Sequence, residues 1–132
     1  MARPYLGGSS GGIKALASSQ TLSVADSGKV FICSQAGAYD ITLPAASDAK
    51  GWEGTFIVGT AGSSNFDIIS GTPDVMYGVE VGDSNIPIDA VDKITFVGSS
   101  AVVGDRADIF CDGTNYYVTM FASADAGAGH SG

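Results

Sequence analysis

Hydrophobic and polar residues alternate most clearly over residues 105–122, DRADIFCDGTNYYVTMFA. Ala107, Ile109 and Cys111 fall on one side of an extended chain, and Asp108, Phe110 and Asp112 on the other. Beyond Asp112-Gly113-Thr114, Tyr117, Thr119 and Phe121 share one face while Tyr116, Val118 and Met120 share the opposite one. A period of two is the signature of a strand. Asp-Gly supplies a residue that tolerates positive φ where the chain reverses. This stretch predicts a β-hairpin, with one of Tyr116 and Tyr117 in the core and the other on the surface.

The same reading applied upstream predicts strands at 21–24, 29–34, 38–43, 54–60, 66–70, 75–81 and 93–98. Residues 29–34 (KVFICS) and 54–60 (GTFIVGT) are apolar on both faces, as central strands are. In 38–43, Tyr39, Ile41 and Leu43 point inward; Pro44, with no N–H to donate, ends the ladder. Gly78 marks a possible bulge, and Trp52 is placed at one end of the core. Residues 82–92, with Ile86-Pro87-Ile88 among polar neighbours, read as a long excursion. About nine short strands with frequent Gly/Asp turns and no convincing helix predict an all-β, antiparallel sandwich or barrel.

Composition adds limits. The chain has 132 residues, room for one domain, and is 45% hydrophobic. Its 19 glycines favour turns and short strands over helices. No run approaches the roughly 18–20 apolar residues of a bilayer-crossing helix, and the first residues lack the apolar centre of a secretory signal. The formal charge of −8 argues against nucleic acid as a partner. Residues 1–25 hold Arg3 and Lys14 and no acid, whereas all 14 acids follow. The division expected is a flexible N-terminal arm (1–19), a β-domain (20–122) and a loose C-terminal tail (123–132). In the arm, the Gly/Ser run 7–12 is a spacer, and Tyr5, Leu6, Ile13 and Leu16 are isolated apolar points; residues 13–17 allow a helical turn at most.

Candidate chemistry is sparse. His130 is the only histidine and sits in the Gly/Ala tail, where nothing in the local sequence would hold it for catalysis. One histidine and two separated cysteines make no zinc set. Cys33 and Cys111 lie in apolar strands and read as buried thiols, with a disulfide open if their strands are neighbours. Asp83, Asp89 and Asp92 lack calcium-loop spacing and read as solvated carboxylates. Asp105 and Asp108 flank Arg106 as a local ion pair. Tyr116 and Tyr117 are the candidates for a sugar or base platform. The expectation is a structural or binding module, not an enzyme, with no cofactor, no metal and no membrane partner.

Three segments carry a resemblance: residues 25–46 (ADSGKVFICSQAGAYDITLPAA), 51–70 (GWEGTFIVGTAGSSNFDIIS) and 104–121 (GDRADIFCDGTNYYVTMF). Together they resemble small β-rich virion proteins of tailed bacteriophages, the capsid decoration or cement proteins, and also modules of tail-fibre tips. The resemblance implies a homotrimer with a β-tripod or jelly-roll-like body, made in the host cytoplasm. Such a trimer would sit on the outer capsid surface, contact the major capsid protein and stiffen the expanded head. An extended arm would clip to the shell, with Tyr5, Leu6 and Ile13 as anchors and Arg3 and Lys14 adding electrostatic register. The alternative it leaves is a tail-fibre or receptor-binding domain that recognises a host surface glycan or protein through loops such as 82–92. A 132-residue chain with only a short arm favours decoration over a fibre.

Overall fold

The computed structural model describes residues 12–132. The protein is all-β. Twelve strands form a seven-stranded sheet, ordered β1-β3-β5-β10-β11-β7-β8, and a five-stranded sheet, ordered β12-β9-β6-β4-β2.

The first half of the chain alternates between the two sheets. β1 (Ile13–Leu16), β3 (Val30–Ser34) and β5 (Glu53–Thr60) lie side by side in the large sheet. β2 (Gln20–Thr21), β4 (Tyr39–Thr42) and β6 (Phe66–Ile69) do the same in the small one. Each return to a sheet passes through a strand of the other sheet, so neighbours run parallel. Parallel strands need such a crossover; here strands supply it in place of helices. The antiparallel body expected from the pattern therefore holds for only half of the pairings: five of the ten are parallel.

The second half adds hairpins. β7 (Met76–Val81) and β8 (Asn85–Val91) pair antiparallel at the far edge of the large sheet, with a register shift between Met76 and Gly78. Residues 82–92 are thus mostly strand, not the excursion expected. β9 (Lys93–Phe96) joins β6. The closing hairpin, β10 (Arg106–Cys111) and β11 (Tyr116–Phe121), fits between β5 and β7 and joins the coiled first half to the β7–β8 pair. Asp112 Oδ1 accepts the Thr114 and Asn115 N–H groups at 2.8 Å each, and Gly113 has φ of 96°, the geometry the Asp-Gly pair predicts.

Both ends of the described chain belong to the body, where the pattern predicts loose termini. Residues 13–16 are a strand, and Leu16 is buried. β12 (Ala128–Ser131) pairs antiparallel with β9. The apolar signal of each strand is short, so pairing with a neighbouring strand decides its structure.

One core lies between the sheets. Aromatic rings dominate it: Phe31 stacks on Phe56 at 4.6 Å and Phe66 on Phe96 at 4.9 Å, and Trp52 meets Tyr116 edge-on at 6.3 Å. The buried Trp52 indole N–H donates to the Ser23 carbonyl, and Tyr116 Oη donates to the Pro44 carbonyl, so each large ring keeps a partner for its polar atom. Cys33 and Cys111 are both free and buried, on strands separated by β5. Burial pushes the Cys33 thiol up to about 12 and raises Cys111 above the usual thiol value. Both stay protonated and act as small core residues.

Candidate functional site

The outer faces of the two sheets differ in character. On the small sheet the outward residues of β4, β6 and β9 include Asp40, Thr42, Asp67, Lys93 and Thr95. Asp67 accepts from Lys93 Nζ at 3.2 Å and from Thr95 Oγ1 at 2.5 Å, a hydrogen-bonded polar surface.

On the large sheet, strand register places outward residues in three rows. The first runs Glu53, Phe110, Tyr117, Tyr77 across β5, β10, β11 and β7. The second runs Ile13, Val30, Thr55, Asp108, Thr119, Val79. The third runs Ala15, Ile32, Ile57, Arg106, Phe121, Val81. The third row is apolar apart from Arg106, whose guanidinium lies 4.4 Å over the Phe121 ring and covers it. Ile13 is 79% exposed, Phe110 47% and Tyr117 43%.

Between the first and second rows the face is concave. The groove has a volume of about 560 Å³, in the range of small-ligand sites. Phe110, Tyr117 and Tyr77 line it with Thr55, Asp108 and Thr119, and Glu53, Lys29 and Val30 line its β3–β5 side. Asp112 accepts the Tyr117 hydroxyl at 2.9 Å and so orients that ring. The hydrogen bonds from Asn115, Thr114 and Tyr117 hold the Asp112 carboxyl below its ordinary value. Asp108 Oδ1 accepts from Thr55 Oγ1 at 3.2 Å and lies 3.5 Å from Arg106 Nε. Among the described residues, Asp108 Oδ2, the Thr119 hydroxyl and the Tyr77 hydroxyl have no side-chain partner.

The residues singled out from the sequence fall in different places. Arg3, Tyr5 and Leu6 lie outside the described residues. Ile13 points outward at the edge of the large sheet, in line with Val30. Lys14 points the other way, and its Nζ lies 3.6 Å from Asp26, which also accepts from Lys29 Nζ at 2.8 Å. Lys14 is thus engaged within the body.

His130 is held, contrary to the expectation from its Gly/Ala surroundings. It sits in β12 with Nδ1 on Glu80 Oε2, and Glu80 is only 4% exposed. The pair joins the edge strand of one sheet to β7 of the other. Asp105 does not pair with Arg106. It is buried and accepts from Val102 N–H, Ser123 N–H and Ser123 Oγ, each at 3.0 Å, tying the start of β10 to the end of β11. Asp92 accepts the Asp74 N–H at 2.7 Å. Among the described residues no three acids, cysteines or histidines gather to hold a metal, and no helix is long and apolar enough to cross a membrane. The outward row of aromatics escaped the sequence reading in part: Tyr117 was legible, but its neighbours Phe110 and Tyr77 are set beside it by strand register alone.

No family model, curated protein or solved structure matches this chain.

Proposed function

We propose that the chain is a structural virion protein that binds the outer capsid surface of a tailed phage as a trimer and stabilises the expanded head. The observation that supports this reading is the contrast between the two outer faces. The small sheet presents hydrogen-bonded polar residues, whereas the large sheet presents the row Ala15, Ile32, Ile57, Arg106, Phe121, Val81, apolar apart from Arg106, which suits contact with protein. Ile13 lies at the edge of that face, where the N-terminal segment that carries Arg3, Tyr5 and Leu6 joins the body. Three linked copies would make each further capsid contact nearly intramolecular. A closed ring of three uses one surface of each copy against a different surface of the next.

The test is reconstitution. Purified protein is mixed with expanded heads of the same virus that lack it, and head-bound protein is measured by sedimentation. Saturable binding, weakened at least about tenfold by deletion of residues 1–11, supports the reading. Failure of the intact chain to sediment with heads contradicts it. Full binding by the truncated chain removes the arm from the contact.

A further inference from the structure

We propose that the groove on the outer face of the seven-stranded sheet binds a neutral oligosaccharide. The inference goes beyond the decoration reading and does not depend on it.

The groove sets two chemistries side by side. Phe110, Tyr117 and Tyr77 form a row across three adjacent strands, spaced by roughly 4.8 Å from one to the next. Two residues along the same strands, Asp108 and Thr119, together with Thr55 of β5, form a parallel row of carboxylate and hydroxyl groups. A pyranose has the same division, with apolar C–H faces and hydroxyls at its rim. Its C–H face fits on an aromatic ring while its rim reaches the polar row. The aromatic row is on the scale of two sugar rings, and the groove volume of about 560 Å³ holds them.

The site is set up before a ligand arrives. Tyr117 is oriented through its hydrogen bond to Asp112, and Asp108 is fixed by Thr55 and Arg106, with Oδ2 left to accept a sugar hydroxyl. Tyr77 and Thr119 hydroxyls are available for the same role. Gly78 lets β7 approach β11 closely beside Tyr77, since a Cβ there would overlap the Val118 carbonyl.

Charge selects the class of ligand. Among the described residues, Glu53 and Asp108 are the acids of the lining and Lys29 is its base, bound to Asp26. Phosphate, sialic acid and nucleic acid would meet these carboxylates, and among the described residues the nearby cations, Lys29 and Arg106, are already engaged with Asp26 and Asp108. An uncharged glycan meets the two carboxylates as acceptors and the Tyr77 and Thr119 hydroxyls, which donate or accept.

The experiment is titration of the full chain with maltotetraose, cellotetraose, chitotriose, mannotriose and a galactose tetrasaccharide. Binding is followed by calorimetry and by tyrosine fluorescence. At least one is expected to bind with a Kd of about 1 mM or tighter. Tyr117→Ala is expected to weaken it at least about tenfold, as loss of a stacking ring does. Tyr117→Phe retains most of the affinity. Asp108→Asn, close to the native shape, weakens binding and serves where Tyr117→Ala fails to fold. Asp40→Asn, on the outer face of the other sheet, leaves binding unchanged. Absence of binding by all five sugars near 1 mM overturns the proposal, as does binding that Tyr117→Ala and Asp108→Asn leave intact. Since the titration uses isolated protein and no heads, its failure leaves the reconstitution result standing, and the reverse.

Discussion

Asp26 accepts the Ser23 N–H and Lys29 Nζ at 2.8 Å each, with Lys14 Nζ 3.6 Å away. Burial would raise its carboxyl, but the hydrogen bonds from Lys29 and Ser23 and the charges of both lysines outweigh it and hold the group at about 2, below the ordinary 3.8. A folded-state value below the unfolded one adds stability above pH 3.8, and that contribution is lost as pH falls towards 2. Asp26→Asn is therefore expected to cost on the order of 1–2 kcal/mol at pH 7, with the gap to wild type closing near pH 2, in urea unfolding as a function of pH. A gap of constant size across that window would contradict the assignment. Glu80 and His130 give a second residue-scale prediction. Removing the imidazole leaves a buried carboxylate unpaired, so His130→Ala should lower stability by about 2–3 kcal/mol, and adding Glu80→Gln should restore part of it in a double-mutant cycle. Additive losses in the cycle would mean the contact is idle. These residue roles were only partly legible in the sequence. The cysteines read correctly as buried thiols, because their flanking residues are apolar. His130 did not, because its partner is 50 residues away and its own neighbours are Gly, Ala and Ser.

Strand β1 shows what a short element contributes. It pairs along β3 and buries Leu16, whose carbonyl accepts Tyr39 Oη at 3.1 Å. Deleting residues 1–19 is thus expected to expose the β3 edge and lower the melting temperature by several degrees relative to deletion of 1–11. Equal melting of the two truncations would mean that β1 adds nothing to the body. In β7, Gly78 has φ of +156° and no room for a Cβ, so Gly78→Ala should cost about 2 kcal/mol or more in denaturant unfolding. Two-sided apolar runs exposed the central strands well: 29–34 and 54–60, apolar on both faces, lie inside the large sheet. The β8 strand was hidden by Asn85, Pro87 and Asp89, residues that an edge strand tolerates and a central one does not. Strand direction was not legible at all. A period of two is common to parallel and antiparallel neighbours, and only the path between sheets makes half of these pairings parallel.

At the scale of the whole molecule, the body has a polar outer face and an apolar one, and the apolar face is divided between a row suited to protein contact and a groove lined by aromatics. Neither division was visible along the sequence, since it arises where seven strands are brought into register. If the row Ile32, Ile57, Phe121, Val81 packs against another copy, light scattering should give three times the mass of one chain. Ile57→Asp should return single chains with the fold intact by circular dichroism; a wild-type protein that stays a single chain at all concentrations would place the trimer in doubt. Decoration itself is tested most directly by counting copies of this chain per major capsid subunit in purified full heads. Decoration at three-fold and quasi-three-fold positions predicts a number close to one. Absence from heads, or a few copies that travel with tails, would contradict it.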